Sequence, residues 1–383
     1  MSDNFTCRFC GGDFFQPALL NYPDAPQSAQ GFLNSLDQAD ALVDLQIDQC
    51  ASCGLVQHSL PPVTYHRDVI RAIAYSAEMA AFRLQQLGGW IQHFDLHNQN
   101  VLEIGCGRGE YLDLLMQSGA QRVFGLENAE LSVQQASVRG LNVRQGYLSS
   151  DFSNPWAFRF DAFAIFSFLE HWPDLKGSLH KLHTLLNEGA PGLIEVPNFD
   201  YIIQNALYSE FTTDHIFYFD KNSLRTVLEL CGFEVQSTES IWHDYILSAR
   251  VKKRSRLDVR EFKTKQTEIV AQLRSFTGRF QPQDVVIWGA GHQSLAVIAL
   301  ANLQAQVSHV VDSAEFKQYK FTPASHLLIK PPESLLQDEP RAIVIMAAAY
   351  SDEVVATIMQ KYSSVKSIAI LREDHLEIIQ DER

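Results

Sequence analysis

Basic residues are scarce in this chain: 31 Lys and Arg stand against 45 Asp and Glu, giving a formal net charge of −14 over 383 residues. A nucleic-acid partner is therefore not expected, because phosphate binding normally requires a basic face. The one local basic run, Lys252-Lys253-Arg254 with Arg256, reads as a solvated linker with room for at most one small anion. No run of about 18 apolar residues occurs, so no membrane-spanning helix is expected. The opening residues Met1-Ser2-Asp3-Asn4 lack the basic and apolar segments of a secretory signal, which sets the expectation of a cytoplasmic protein. Low-complexity tracts are missing too. What remains is an ordinary globular composition, 46% hydrophobic and 20% charged, long enough for two or three domains.

Cysteine is also sparse, six in all, but four of them form two pairs, Cys7-x-x-Cys10 and Cys50-x-x-Cys53, followed by Gly11 and Gly54. Such a turn points two thiolates at one ion, and two turns complete a tetrahedral S₄ site. Two disulfides are the alternative, which a reducing compartment disfavours; a thioredoxin-like role would need only one pair. The expectation is structural zinc held by Cys7, Cys10, Cys50 and Cys53, stabilising a small module with no open position for chemistry. The 39 residues between the pairs exceed the usual spacing, so the segment Pro17 to Ser28 is expected to loop out. Cys106 and Cys231 are expected to be packed thiols.

Beyond the thiolates, Thr64 to Phe94 reads as mainly helical, with Ile70, Ile73, Ala74, Ala77, Ala80, Ala81, Leu84 and Leu87 at three-to-four spacing. Strand and helix patterns then alternate: strand 101–104, helix 109–118, strand 122–127, helix 130–138, strands 142–145 and 161–166, helix 175–186, strand 192–196. A helix near Asp220–Cys231 stops at Gly232, and strands near Phe233–Glu239 and Asp244–Val251 follow. A charged helical stretch, Leu257 to Thr277, leads to a second alternating region. Its strand Val285 to Trp288 enters the turn Gly289-Ala290-Gly291-His292-Gln293-Ser294. Further strands are predicted at 307–311, 342–346 and 367–371, around a helix at 352–361. Both regions predict parallel sheets flanked by helices.

The sharpest motif is Val101-Leu102-Glu103-Ile104-Gly105-Cys106-Gly107-Arg108-Gly109, a strand running into a glycine turn that opens a helix. Its G-x-G-x-G spacing differs from the G-x-G-x-x-G of dinucleotide binders. The next strand ends at Glu127, about 20 residues on, where a carboxylate can accept from two ribose hydroxyls. The strand 161–166 enters Ser167-Phe168-Leu169-Glu170-His171-Trp172-Pro173-Asp174. Together these resemble the motifs of class I S-adenosylmethionine-dependent methyltransferases. The resemblance implies a cofactor site built from Glu103, Gly105, Gly107, Gly109, Glu127, Asn128, Ser167 and Phe168.

The order of modules resembles the C-methyltransferases of nucleotide-linked 4-keto deoxysugars over essentially the whole chain. The fold class implied is α/β, a class I methyltransferase doubly wound sheet flanked by a small N-terminal zinc-binding module (1–63) and a C-terminal Rossmann-like substrate-binding domain (256–383), with the core and its helical lead-in at 64–255. The family's acidic-His segment corresponds to Asp214-His215 within Phe211-Thr212-Thr213-Asp214-His215-Ile216-Phe217-Tyr218-Phe219, and Tyr75 corresponds to a substrate-contacting tyrosine. In the C-terminal domain, which faces the nucleotide-sugar in that family, Gly289, Gly291, His292, Ser294 and Asp312 are the implied substrate-binding residues. The stretch Lys317 to Pro323 follows the family pattern. Two positions depart from it: Thr212 stands where a tyrosine is usual, and Gln293 replaces a lysine, so the resemblance leaves the sugar unspecified.

The chemistry follows from the acceptor. Carbon is a poor nucleophile, so a ketone at C4 must acidify the C3 proton; a base removes it, and the enolate attacks the sulfonium methyl. His215 suits the base, with Asp214 either orienting it or binding the sugar. Tyr218 or Tyr75 is the candidate donor to the enolate oxygen. His171 is expected to brace its loop. An O- or N-methyltransferase of another small molecule and a non-catalytic cofactor-binding scaffold are the competing readings.

Overall fold

A computed structural model describes residues 5–30, 32, 33, 35, 37, 41–67 and 75–382, and the chain divides into two compact units, Met1–Arg256 and Leu257–Arg383. The first unit opens with strands β1 (Leu20–Pro26), β2 (Leu42–Gln49) and β3 (Val56–His58). The segment Pro17 to Ser28, expected to loop out, is mostly strand: β1 pairs antiparallel with β2 from Leu20–Ile47 to Pro26–Leu42. Alternation explains this, since Leu20, Tyr22 and Ala25 pack on Leu45, Ile47 and Val56. The prolines are tolerated because β1 is an edge strand.

Helix α1 (Ala77–His93) starts where Ser76 caps it, its Oγ accepting from the Met79 N–H at 3.1 Å. The helical pattern predicted from Thr64 therefore begins later: Thr64–Arg67 form turns, and Ile70, Ile73 and Ala74 lie outside the described residues. The chain then alternates through β4 (Asn100–Ile104), α2 (Glu110–Gln117), β5 (Arg122–Glu127), α3 (Glu130–Val138), β6 (Val143–Gln145), β7 (Ala162–Phe166), α4 (Leu175–Leu185), β8 (Pro191–Pro197), a short α5 (Phe199–Gln204), β9 (Phe217–Tyr218), α6 (Lys221–Leu230), β10 (Phe233–Ile241) and β11 (Ile246–Lys253). Seven strands form one sheet in the order β10-β11-β8-β7-β4-β5-β6. β4 to β8 run parallel, and β11 is antiparallel to β8 and β10. The order reverses at β4, with β5 on one side and β7 on the other, and ligands of doubly wound sheets bind outside the strand ends at such a switch point.

Two sheet faces make two cores, one around Ile104, Ile165, Leu179 and Ile194, the other around Val101, Leu112, Ala164 and Trp90. One charged pair crosses into this interior: Arg83 of α1 donates to Glu195 of β8 at 2.5 Å, both side chains almost wholly buried. Gln86 and Ser248 also donate to that carboxylate. Removing one partner of such a pair costs about 3–5 kcal/mol, so α1 is tied to the sheet by more than its apolar face.

β9 leaves the large sheet. It pairs antiparallel with β3, Val56 opposite Tyr218 and Gln57 opposite Phe217, completing the sheet β1-β2-β3-β9. Cys7, Phe9, Cys50 and Leu55 share an apolar cluster with Leu169, Trp172 and Ile216. The cysteine-bearing segment and the core therefore form one compact unit.

The second unit comprises α7 (Arg260–Thr277), β12 (Val285–Trp288), α8 (His292–Leu300), β13 (His309–Val311), β14 (Ile329–Lys330), α9 (Leu335–Asp338), β15 (Ala342–Ile345), α10 (Ser351–Lys361), β16 (Ser367–Leu371) and β17 (Leu376–Asp381). Its sheet runs β14-β13-β12-β15-β16-β17, parallel except for the edge strand β17. β14 and β17 were not predicted. Among the described residues no helix is long and apolar enough to cross a membrane.

Candidate active site

β4 delivers the glycine turn to the switch point of the large sheet. Gly105 lies at φ 70° and Gly109 at φ 91°, both in the left-handed region. A Cβ on Gly105 would stand 2.4 Å from Phe168 Cδ1, and one on Gly109 2.2 Å from Leu141 Cδ1. Gly109 begins α2 with no side-chain cap, so the first-turn N–H groups remain for a ligand. Glu127, at the end of β5, is buried; its Oε2 accepts from the Gly107 N–H and its Oε1 from the Ala129 N–H, each at 2.9 Å. A carboxylate offers about four acceptor sites, so this one is aimed by two backbone donors and keeps capacity for ribose hydroxyls. Glu103 is wholly buried in β4. Asn128 is half-buried, its carbonyl accepting from Gln145. Ser167 takes a positive φ of 45° while its N–H donates to the Glu195 carbonyl at 2.9 Å, and Phe168 sits edge-on to Trp172. These residues fit a nucleoside cofactor.

The turn after β7 meets the segment before β9. His171 Nδ1 lies 2.8 Å from the Asp214 carbonyl, which can only accept, so Nδ1 carries the proton and Nε2 a lone pair. The His171 and His215 rings pack edge-to-face at 4.8 Å. Ligand-capable atoms of Glu170, His171 and His215 all lie within 4.8 Å of one another. Burial, with the neighbouring His215, holds His171 down to about 3. Burial also lowers His215, opposed by the carboxylates of Asp214 and Glu210. Both imidazoles are thus neutral at pH 7, the form in which a histidine takes up a proton.

Around this pair the loop is densely tied. Asp214 is buried, and its Oδ2 accepts from Gln30 Nε2 at 3.4 Å. The Ile216 N–H donates to the Glu170 carbonyl at 2.9 Å. The Tyr218 hydroxyl donates to the Thr212 carbonyl at 3.3 Å and accepts from the Thr212 N–H at 3.2 Å, so it serves its own loop. Tyr75 stacks on Tyr111 at 6.2 Å, and Tyr111 packs on Phe166 and under the Arg83 guanidinium. The structure thus brings together Asp214, His215 and His171, and adds Glu170 and Glu210, which the sequence reading did not single out. Glu210 in turn accepts from the Tyr245 hydroxyl at 2.8 Å. Glu170 lay inside the quoted turn motif, whereas nothing local marked Glu210 or Tyr245.

The four paired cysteines converge. Cys7 and Cys53 sulfurs are 3.7 Å apart and those of Cys10 and Cys50 3.5 Å, against about 2.05 Å for a disulfide. Thiolates at about 2.3 Å from one zinc ion stand roughly 3.8 Å apart along each tetrahedral edge. Backbone N–H groups of Ser52 and Cys53 point at the Cys50 sulfur at 3.4 and 3.5 Å, and Gly12 at that of Cys10 at 3.4 Å. This donor set fits zinc.

The second glycine turn is built differently. Ser294 donates from Oγ to the Gly289 carbonyl at 2.5 Å, and a Cβ on Gly289 would stand 2.6 Å from the Met346 carbonyl oxygen. Asp312 accepts from the N–H groups of Ala290 and Ala314 and from Lys317 Nζ, at 2.7, 2.9 and 2.9 Å. Gly291 and His292 are exposed. Of the five residues implied as substrate-binding, Ser294 and Asp312 spend their side chains internally, and Gly289 is hemmed in.

Comparison with known families accords with the first unit's geometry. Residues 71–238 match the model of a methyltransferase domain, and residues 250–370 match that of a C-methyltransferase C-terminal domain. The fold, the glycine turn and the first match define the class: this is a class I S-adenosylmethionine-dependent methyltransferase. The second match narrows it to the C-methyltransferases. The chain is similar to the C-methyltransferase NovU of Streptomyces niveus, with 23% identity across 91% of each chain. Among solved structures it resembles the magnesium protoporphyrin IX methyltransferase (ChlM) of Synechocystis, with TM-score 0.38 and 15% identity over 50% of this chain and 93% of the other. The amino pentose methyltransferase CalS10 of Micromonospora echinaspora is comparable, with TM-score 0.36 and 14% identity over 48% and 100%.

Proposed function

We propose that the acceptor is a nucleotide-linked 4-keto deoxysugar, methylated at the carbon beside the ketone, with His215 as the base. The observation that carries this reading is the packing of His215, edge-to-face at 4.8 Å, on His171 of the turn that also carries Ser167 and Phe168, with burial lowering the His215 pKa against the opposing carboxylates of Asp214 and Glu210. An acidic C–H needs such a base, and a hydroxyl acceptor needs it less. His215 takes the C3 proton, Asp214 steadies the resulting imidazolium, and Tyr75 donates to the enolate oxygen. Tyr218 holds the loop through Thr212 and leaves donation to Tyr75. Bound S-adenosylmethionine, held by the Gly105–Gly109 turn, Glu127, Asn128, Ser167 and Phe168, supplies the electrophilic methyl group. In the second unit, Gly291 and His292 are exposed at the start of α8, where backbone N–H groups favour a phosphate, and are the candidates there for contact with a nucleotide. Cys7, Cys10, Cys50 and Cys53 hold one structural zinc ion.

The test needs no cofactor. In D₂O the enzyme should introduce deuterium beside the ketone of dTDP-4-keto-6-deoxyglucose, and His215→Ala should abolish this while S-adenosylhomocysteine still binds. Because burial lowers His215, the rate should rise with a midpoint below 6.5 and level off by pH 7. Absence of exchange, together with methyl transfer to oxygen in mass spectra of the products, would remove the enolate reading. Metal analysis should return one zinc per chain, lost in Cys50→Ser.

A further inference from the structure

The segment carrying Asp214-His215 has no regular secondary structure until β9 begins at Phe217, yet a base must be held within a fraction of an ångström. One residue of the cysteine-bearing sheet grips it on both sides. His58, the last residue of β3, is wholly buried; its Nε2 lies 3.1 Å from the Thr213 carbonyl, and its own N–H donates to the Ile216 carbonyl at 3.2 Å. A carbonyl only accepts, so Nε2 must carry the proton. The two bonds bracket Asp214 and His215, and His171 holds the carbonyl between them.

What fixes His58 is the thiolate site. β3 begins three residues after Cys53, and its partner β2 ends at Gln49, immediately before Cys50. Arg8, beside Cys7, donates from its backbone to Gln57 and from its guanidinium to the Leu60 carbonyl at 2.6 Å. Burial and the nearby Arg8 charge hold His58 down to about 4, so it stays a neutral single donor throughout the working range. Among the described residues its Nδ1 has no hydrogen-bond partner, so the imidazole brings one directed bond to this place, where an apolar side chain would only fill space.

We propose that His58 is a positioning residue for the base, transmitting the rigidity of the four-thiolate knuckles to His215 through the Thr213 carbonyl. This rests on the reading of His215 as the base. The step is steric and hydrogen-bonded only: His58 touches no reacting atom.

His58→Phe removes the donor and His58→Gln restores one of similar reach. Two measurements are paired: backbone hydrogen exchange of the peptide spanning 212–216, by mass spectrometry, and deuterium incorporation into dTDP-4-keto-6-deoxyglucose. His58→Phe should speed loop exchange and slow substrate deuteration, each by about tenfold or more. Zinc content and S-adenosylhomocysteine affinity should stay as in the native enzyme, and His58→Gln should recover both rates to within about threefold. Native-like rates in His58→Phe would overturn the proposal. So would equal losses in both variants, or loss of zinc or cofactor binding, which would assign His58 to folding alone. If the native enzyme fails to deuterate the sugar, or His215→Ala still does so, the base reading falls, while loop exchange still decides whether His58 holds the segment.

Discussion

The two glycine turns of this chain share one local grammar and end in opposite structures. Each follows a buried parallel strand, opens a helix and is followed by an acidic residue at the tip of the next strand: Gly105 with Glu127, Gly289 with Asp312. Among the described residues Glu127 takes two backbone donors, one from its own turn and one from the Gly105 turn. Asp312 takes the equivalent two and a third, the Lys317 ammonium. The first carboxylate is aimed, and the second is consumed. Ser294 completes the difference, since its hydroxyl closes on Gly289 inside the turn. A glycine turn is therefore a geometry, and whether it becomes a cofactor site depends on what the carboxylate beyond it is left to do.

The largest effect that probes this contrast is on cofactor affinity. Glu127→Ala should weaken S-adenosylhomocysteine by about 100-fold or more in calorimetry, since it removes the carboxylate proposed to hold the ribose and the anchor of Gly107. Asp312→Ala should leave that affinity unchanged. It should instead lower the stability of the second unit by about 2–3 kcal/mol, because Lys317 and two backbone N–H groups lose a largely buried acceptor. Cofactor loss in Asp312→Ala would erase the distinction between the turns.

Acid should separate the two units next. Burial keeps His58 and His171 near 4 and 3, and these native values lie below the 6.5 of an unfolded histidine. The unfolded chain therefore binds protons first as pH falls below 6.5, so stability is full above that value and declines toward 4 and 3. Between pH 8 and pH 6 the two should cost the first unit about 2 kcal/mol together. The second unit has His309 in the same condition, held near 4 by burial and Lys330, and should lose about half as much. Hydrogen exchange resolved by peptide at the two pH values checks the order, and equal losses would contradict it.

Much of this was legible because it is local. The run Val101 to Gly109 needs only an apolar strand and glycines at positive φ, and both were visible in a window of nine residues. The start of α6 is equally local, with Asp220 capping on Ser223, whereas the start of α1 at Ser76 was hidden by apolar spacing that runs back toward Thr64. What stayed hidden is long-range. β1 reads as a loop because it lies in a Pro-rich stretch of the long spacing between the cysteine pairs, and its pairing with β2 is set by contacts about 20 residues away. The His58 bond to Thr213 joins residues 155 apart and the pairing of β3 with β9 joins residues further apart still, with no periodicity to announce them. Arg83 lies on a helix whose alanines and leucines already explained its packing, and the lone Glu195 in an apolar strand was the only mark of its partner. Of the candidate site, Asp214-His215 came from family resemblance, whereas Glu210 and Tyr245 became visible only through geometry.

The smallest predicted effect bears most directly on why the second turn is closed. If Ser294 merely occupied the third glycine position of a dinucleotide site, Ser294→Gly would open it. The geometry argues otherwise, because Asp312 would still be held by Lys317 and two backbone donors. Ser294→Gly should therefore create no measurable affinity for NAD or S-adenosylhomocysteine in the second unit. It should cost about 1 kcal/mol of stability, from the lost bond to the Gly289 carbonyl and from a glycine in the first turn of α8. Thermal unfolding and nucleotide titration measure both at once. Nucleotide binding gained by that single change would mean that Ser294, and not the saturated Asp312, had been keeping the second turn shut.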